Sequence, residues 1–314
     1  MLTVSPVSAP TLSDAVWIDL VDPTDDERRR VEQATMLRLP TKAAIEEIES
    51  SSRVFKEGAA FYLSTPVLES TDCVKGAVTA VGFVLSPAKL VTVRFARIAA
   101  FDAVTAGYAN EPAPKAHDAF LKILEAIVEH TADALEHASA ELEGISHAAF
   151  HADPPGPRYR PVKASGALRA ALRKIGRMGD GTSHIRDTLL GLGRIAAFVQ
   201  ESVHQTHDAD GARLGAIRAD IASLNEYQSH LSNKVQFLLD ATLGFINIEQ
   251  NDIVKTLTVA SVVGVPPVLI AGIYGMNFKN IPELSWRFGY PYALVLIVIS
   301  ALLPIAWFKW RGWM

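Results

Sequence analysis

The stretch LTVASVVGVPPVLIAGIYGMNF, Leu257–Phe278, holds no charged residue. A second uncharged run, Tyr290–Phe308, follows after a short interval. Each run is close to the ~20 helical residues needed to cross a ~30 Å hydrocarbon core. The chain then ends in WFKWRGWM, where Trp307, Trp310 and Trp313 mix with Lys309 and Arg311. That is an aromatic belt with cationic anchors, as found at a membrane interface. Two membrane helices are therefore expected, rather than two core helices of a soluble protein. The first is read as 251–277, ending in Gly275-Met276-Asn277, and the second as 290–308. Residues 278–289 become a short extracytoplasmic loop, and 309–314 a basic tail.

The bulk composition agrees. Of 314 residues, 49% are hydrophobic and 20% charged, with a net charge of -4. The mean hydropathy of +0.18 is high for a soluble protein. Nothing in this charge balance points to nucleic acid. The single cysteine, Cys73, excludes a disulfide framework within one chain and fits a reducing compartment. The N-terminal residues lack the basic and apolar regions of a secretory signal, so the N-terminal part is expected in the cytoplasm. Two crossings return the C-terminus to that side. The expected location is the plasma (inner) membrane, with both termini cytoplasmic. The positive-inside count supports this only weakly, with Lys255, Lys309 and Arg311 inside against Lys279 and Arg287 outside.

Residues 1–112 read as a cytoplasmic α/β domain. VWIDLVDP, AAFYLSTPVLES, GAVTAVGFVLSP and LVTVRFA are apolar or alternating runs bounded by Pro, Gly and Asp, as strands are. TDDERRRVEQAT and TKAAIEEIES read as helices, each with a threonine placed to cap it. Residues 113–250 read as a helical stalk region. One helix runs from 115 to about 150, with apolar positions at Phe120, Leu124, Ile127, Leu135 and Leu142. HADPPGPRYRP ends it. A second runs from about Ala164 to Val203, weakened by Gly176, Gly179 and Gly181, which leave room for a break there. A third begins near Ala209 and meets no strong stop before the Gly-Met-Asn triplet. Unbroken, it would be about 100 Å long.

Along that third helix Ile217, Ile221, Leu224, Gln228, Leu231, Val235, Leu238, Thr242 and Phe245 repeat at steps of three and four, a heptad seam. In the membrane part, similar steps pick out Asn251, Val254, Thr258, Ser261, Val265, Val268, Gly272 and Gly275. None is charged and none is large. Such a stripe suits close helix packing as well as a pore. Read as an extension of the seam, it predicts several identical helices around one axis. One helix cannot enclose a channel, so a pore demands a homo-oligomer with the first membrane helix inside and the second against lipid.

The triplet ends the stripe. A hard, strongly hydrated cation such as Mg2+ prefers six oxygen ligands. A ring of Asn277 side-chain carbonyls, with backbone carbonyls from Gly275, offers oxygen acceptors without a carboxylate. Taken alone, the triplet also reads as an ordinary helix stop with Asn in a turn.

YGMNF, followed by PEL at Pro282–Leu284 and FGYPYAL at Phe288–Leu294, resembles the CorA family of magnesium transporters. FINIEQN (Phe245–Asn251), SVVGVPP (Ser261–Pro267) and AVWIDLVDP (Ala15–Pro23) extend the similarity over most of the chain. The resemblance implies an α+β fold with an N-terminal α/β domain, a long helical stalk and two C-terminal transmembrane helices. It implies a funnel-shaped homopentamer importing Mg2+, and Co2+ and Ni2+, gated by cytoplasmic Mg2+. It implies a selectivity filter at Gly275, Met276 and Asn277, and a pore face including Gly272 and Asn251. It also implies a hydrophobic gate near Val254 to Leu257. Where some relatives carry Met and Thr in mid-pore, this sequence has Val265 and Val268. Glu283 is the loop acid left to attract cations. Asp72 and Asp220 are the candidate ligands for a regulatory Mg2+.

Other motifs carry less. GLGRIA, Gly191–Ala196, fits a dinucleotide fingerprint but is flanked by helical sequence rather than by a strand. No P-loop occurs, so no nucleotide is expected. His147 with His151, and His204, His207, Asp208 and Asp210, have zinc-like spacing but lie at helix ends beside loops. The acids Glu125, Glu129, Asp133, Glu136, Glu141 and Glu143 read as a solvated helix face. No catalytic cluster is found, so no enzyme is expected. The competing functions are a zinc or nickel transporter of the same architecture, and a membrane-anchored scaffold.

Overall fold

The computed structural model describes residues 2–5, 11–47, 49, 53–72, 77–108, 115–150, 161–203, 208–277 and 282–313. Cys73, His151, His204, His207, Phe278 and Lys279 lie outside the described residues. The chain forms two compact units, Met1–Gly156 with Ala170–Asp240, and Pro157–Arg169 with Ala241–Met314.

The first unit is built on a six-stranded sheet of order β1-β2-β6-β5-β4-β3. Its strands are β1 Leu2–Ser5, β2 Trp17–Val21, β3 Val54–Glu57, β4 Ala60–Leu68, β5 Val78–Leu85 and β6 Leu90–Arg94. Only β2 and β6 pair in parallel; the other neighbours are antiparallel. The four apolar runs are β2, β4, β5 and β6. The edge strands β1 and β3 carry weaker signals, since each pairs on one side only.

Helices cover both faces, which is why the central strands are buried along nearly their whole length. On one face lie α1 Asp25–Thr35 and α2 Lys42–Glu46, where Val31, Leu39 and Ile45 meet Ile18, Leu20, Val84 and Val93. Thr24 and Glu27 form a reciprocal capping box at α1, and Thr41 accepts from Ala44 N at α2, as the sequence led us to expect. The other face meets α3 Ala99–Tyr108 and α4 Ala116–Phe150. The helix α5 Pro161–Val203 joins the same core through Ile185, Leu189 and Leu192.

α5 runs unbroken through Gly176, Gly179 and Gly181, the three glycines that left room for a break. Ile175, Met178 and Ile185 are each 0% exposed there, and Thr182 and Ser183 hydroxyls bond back to Gly179 O. Tertiary burial outweighs a glycine penalty of ~1 kcal/mol per residue. GLGRIA lies inside this helix with no strand before it. A Cβ at Gly191 would overlap Thr65 Oγ1 and lie 2.9 Å from Thr65 Cβ. That glycine serves close helix-to-sheet packing.

A buried polar network ties β2 to β6. Asp19 accepts from Arg94 Nη2 at 2.8 Å, and the two side chains are 4% and 5% exposed. Thr92 Oγ1 donates to Asp19 at 2.6 Å and accepts from Trp17 Nε1 at 3.1 Å. Arg94 also stacks on Phe101, 4.9 Å from its ring centre. A desolvated pair of this kind penalises loss of one partner far more than it stabilises as a pair.

The long helix α6, Asp208–Tyr274, is one element of 67 residues. Its seam is spent within the chain. Ile217, Ile221, Leu231 and Leu238 are at most 4% exposed and belong to the same core as α4 and α5. Gln228, 3% exposed, donates to Thr182 O on α5 at 2.9 Å. Arg213 pairs with Glu125 of α4 at 2.9 Å, and Lys234 with Glu143. The Glu125 hydrogen bond, ahead of the opposing desolvation, raises the Arg213 pKa.

Asp19→Ala is expected to lower unfolding stability toward the lower end of about 3–5 kcal/mol, because buried Arg94 loses its close partner and keeps only Asp102 at 3.8 Å and the Ala96 carbonyl. Gly191→Ala is expected to cost about 1–3 kcal/mol by overpacking against Thr65. Thermal denaturation of the purified variants measures both.

Candidate functional site

The second unit contains the membrane part of α6 and the helix α7, Gly289–Trp310. Both helices are long and apolar enough to span a membrane. Their most apolar windows are 0% and 6% buried, so they are not the core of a soluble fold. Pro266 and Pro267 are inside α6 and Pro304 inside α7 without ending either helix.

Partial cover on α6 falls at Lys255, Val259, Val263, Pro266, Pro267, Ile270 and Tyr274. On α7 it falls at Ala293, Leu296, Ile297, Ser300, Ala301, Pro304 and Ile305, with Phe308 fully buried. Their periodicity identifies these lines as the sides the two helices turn toward each other. Lys255 Nζ lies 5.8 Å over the Trp313 ring, and the Arg311 guanidinium 5.5 Å over Trp307.

The stripe read from the sequence occupies the other side of α6. Asn251, Val254, Thr258, Ser261, Val265, Val268, Gly272 and Gly275 are all exposed, Val254 by 61% and Val268 by 72%, and so is the bulkier Leu257 of the expected gate. At 3.6 residues per turn the stripe is centred roughly 165° from the α7-facing line. It is the face that α7 cannot cover.

One part of the sequence argument is corrected here. The stripe does not extend the seam. From Phe245 to Asn251 is six residues, a rotation of about 240°. Continued at true heptad steps, the seam runs onto Val259, Val263 and Pro266, the side turned to α7. The seam therefore says nothing about identical helices around an axis.

Continuing the stripe backwards from Val254 in steps of seven gives Asn247, Asp240, Asn233 and Glu226, each exposed. These polar residues stand in seven-residue register with Val254 along the sequence of α6, drifting about 20° per step. Sequence reasoning missed them by following the apolar seam through the same segment.

α6 stops at Tyr274. Gly275 N still donates to Ala271 O at 3.0 Å, and Met276 N to Ile273 O at 3.2 Å, so the last turn tightens into the triplet. A Cβ at Gly275 would sit 3.1 Å from Ala271 O, closer than most side chains tolerate. Met276 and Asn277 follow, both exposed. Glu283 lies half-covered in a 3-10 turn, Pro282–Ser285.

Asp220 lines a groove with Glu125 and Glu129, where Arg213 engages Glu125. Asp72 lies in the turn after β4, its N–H bonded to Ser70 Oγ at 3.2 Å, and does not line that groove. Among the described residues no group of three His, Cys, Asp or Glu is gathered to hold a metal ion.

Residues 13–310 match the family described as "CorA-like Mg2+ transporter protein". The chain belongs to the CorA family. It is 34% identical over 309 residues to the magnesium transport protein CorA of Escherichia coli (strain K12), covering 96% of this chain and 93% of that one. It is 32% identical over 306 residues to the CorA of Haemophilus ducreyi, covering 96% and 93%. Among solved structures, the complete CorA magnesium transporter from Methanocaldococcus jannaschii matches with a TM-score of 0.74 at 19% identity, covering 96% and 92%. At that identity the likeness speaks for the fold. That fold is the expected one, a mixed-sheet N-terminal domain, a long helical stalk and two C-terminal apolar helices. CorA is a transporter family, which is not an enzyme class.

In a Cys73→Ser background, cysteines placed at Val254, Ser261 and Val268 are expected to react with a charged, water-soluble thiol reagent in membranes. Cysteines at Val259, Val263 and Ile270 are expected to stay protected. Mass-shift labelling reads both sets, and the reverse pattern would put the stripe against lipid or protein.

Proposed function

We propose that this protein carries Mg2+ into the cytoplasm, down the membrane potential, through a pore lined by the α6 helices of several copies. Pentameric assembly is part of the proposal, on the family resemblance. The observation that carries it is the uncovered stripe of small, uncharged residues on α6, opposite the α7 contact and ending at Gly275-Met276-Asn277. Its curated relatives are named magnesium transport proteins.

In this reading Asn277 carbonyls and the Gly275 backbone receive the hydrated ion at the extracytoplasmic mouth, with Met276 in the same ring. Acceptor dipoles suit an ion that gives up water reluctantly. Glu283 raises the local cation concentration. Thr258 and Ser261 offer hydroxyls, while Val265 and Val268 make the mid-pore less polar. Gly272 keeps the upper pore wide, and Asn251 marks its cytoplasmic end. Val254 and Leu257 form an apolar constriction that closes by dewetting. Asn247, Asp240, Asn233 and Glu226 then give the departing cation a polar, acidic wall. The outer helix α7 meets lipid, and its Trp and basic residues anchor the cytoplasmic interface.

No nucleotide is required. One charge moved through 100 mV gains about 2.3 kcal/mol, so a divalent ion gains about 4.6. Such a drive, more than a thousandfold at equilibrium, makes an ungated pore harmful. The proposal therefore includes closure when cytoplasmic Mg2+ is plentiful. Asp72 and Asp220 of neighbouring copies are the proposed ligands, since one chain gathers no three-ligand site among its described residues.

The test is Mg2+ uptake into proteoliposomes under an imposed negative-inside potential. Wild type is expected to conduct. Asn277→Ala is expected to lose about tenfold or more, the equivalent of one charge-assisted hydrogen bond per ion. Equal uptake by the variant removes Asn277 from the mechanism. Parallel flux of Co2+, Ni2+ and Zn2+ ranks the cargo and separates this reading from a zinc or nickel transporter.

A further inference from the structure

The sheet face that carries α1 and α2 is incompletely covered. α2 is a single short helix of five residues, and its Ile45 is committed to the sheet, 2% exposed. Toward the β3 edge the strands lie open. Phe55 and Tyr62 are register partners whose rings stack at 4.9 Å and 3°. Val54 pairs with Leu63, so Arg53 falls beside Ser64. The segment running from Arg38 to Thr41 forms the opposite wall. Between them is a cavity of about 230 Å³, lined by Arg38, Thr41, Arg53, Phe55, Tyr62 and Ser64 among others. No residue of the pore face or the filter takes part in it.

Three features define its chemistry. First, Arg38 and Arg53 bring two guanidiniums against one carboxylate, Glu57. Arg53 Nε donates to Glu47 O at 2.6 Å, which fixes the direction of its fork. Burial, and then the Arg194 guanidinium, push the Arg53 pKa below its usual range, while Asp187 opposes them. The positive field is thus only partly answered by the protein. Second, Ser64 is 7% exposed and its Oγ has no hydrogen-bond partner among the described residues. An orphaned buried hydroxyl costs about 1–3 kcal/mol. Third, Phe55 is 40% exposed, an aromatic surface left without cover at the cavity wall.

We propose that this cavity binds a small planar anion, one aromatic ring carrying a phosphate or carboxylate group. The acid group accepts from the guanidinium forks of Arg38 and Arg53, and from the Ser64 hydroxyl once that side chain rotates its covered Oγ toward the cavity. The ring lies against the Phe55 and Tyr62 stack, where offset aromatic contact adds to area burial. A volume of about 230 Å³ is below the ~300–1,000 Å³ typical of pockets for drug-sized ligands. It suits one ring and its acid group.

The experiment titrates full-length, detergent-solubilised protein with phenyl phosphate and with benzoate, using inorganic phosphate and phenol for comparison. Calorimetry reads binding and thermal melting reads stability. Phenyl phosphate or benzoate is expected to bind about tenfold or more tighter than either half-molecule, and the tighter of the two identifies the acid group. Arg53→Gln is expected to weaken that binding about tenfold. Ser64→Ala is expected to weaken it as well, yet to raise the melting temperature of the ligand-free protein, because it removes an unsatisfied hydroxyl. Absence of saturable binding up to about 1 mM, or unchanged binding in Ser64→Ala, overturns the assignment.

Discussion

A single α-helix has only one circumference to divide among its neighbours, and α6 must divide its own several ways. Its stalk portion gives Ile217, Ile221, Leu231 and Leu238 to the core of its own chain. Its membrane portion gives Val259, Val263 and Ile270 to the side partly covered by α7. Every other face is left over. The stripe from Asn251 to Gly272 is one such remainder, and its character follows from that position. Among the described residues nothing covers it.

The rest of the chain holds that helix in register. The seam of α6 packs against helices that are themselves seated on the sheet, through Phe120 on Phe83 and Phe198 on Phe61. Gln228 bonds to a main-chain carbonyl of α5 in the middle of an apolar seam. A buried amide there allows one register and penalises its neighbours. Arg213 with Glu125, and Lys234 with Glu143, pin α6 to α4 near the surface. Partly exposed pairs add little stability, but they add direction. Within the sheet, the buried Asp19–Arg94 pair joins the two parallel strands β2 and β6. The sheet is a platform for the helices of the first unit.

The chemistry proposed for the filter follows from the cation. A carboxylate ring would hold Mg2+ too firmly for rapid passage, whereas neutral oxygen dipoles bind its water shell and release it. The tightened last turn at Gly275, where a side chain would press on Ala271 O, presents Met276 and Asn277 just beyond the helix. The acids sit away from the triplet, at Glu283 on the loop and at Asp240 and Glu226 on the stalk. In the proposed pore their field is placed to gather cations without coordinating them in the narrowest place.

Much of this was legible in the amino-acid order. Membrane spans, capped helices and central strands are local matters, set by hydropathy, periodicity and a threonine three residues ahead of its partner. The edge strands β1 and β3 and the helix α3 were not legible, because their stability comes from neighbours distant in sequence. The same holds for the continuity of α5 through three glycines. Family resemblance pointed to the triplet and to its cargo. What the sequence by itself determined is which residues of α6 are small, which are apolar and where the helix stops. Which face each of them serves was decided by the tertiary structure. Periodicity gives relative angle along a helix, and six residues of slippage between Phe245 and Asn251 turn that angle by most of a circle. Only the positions of α4, α5 and α7 fix which side is covered and which is left open.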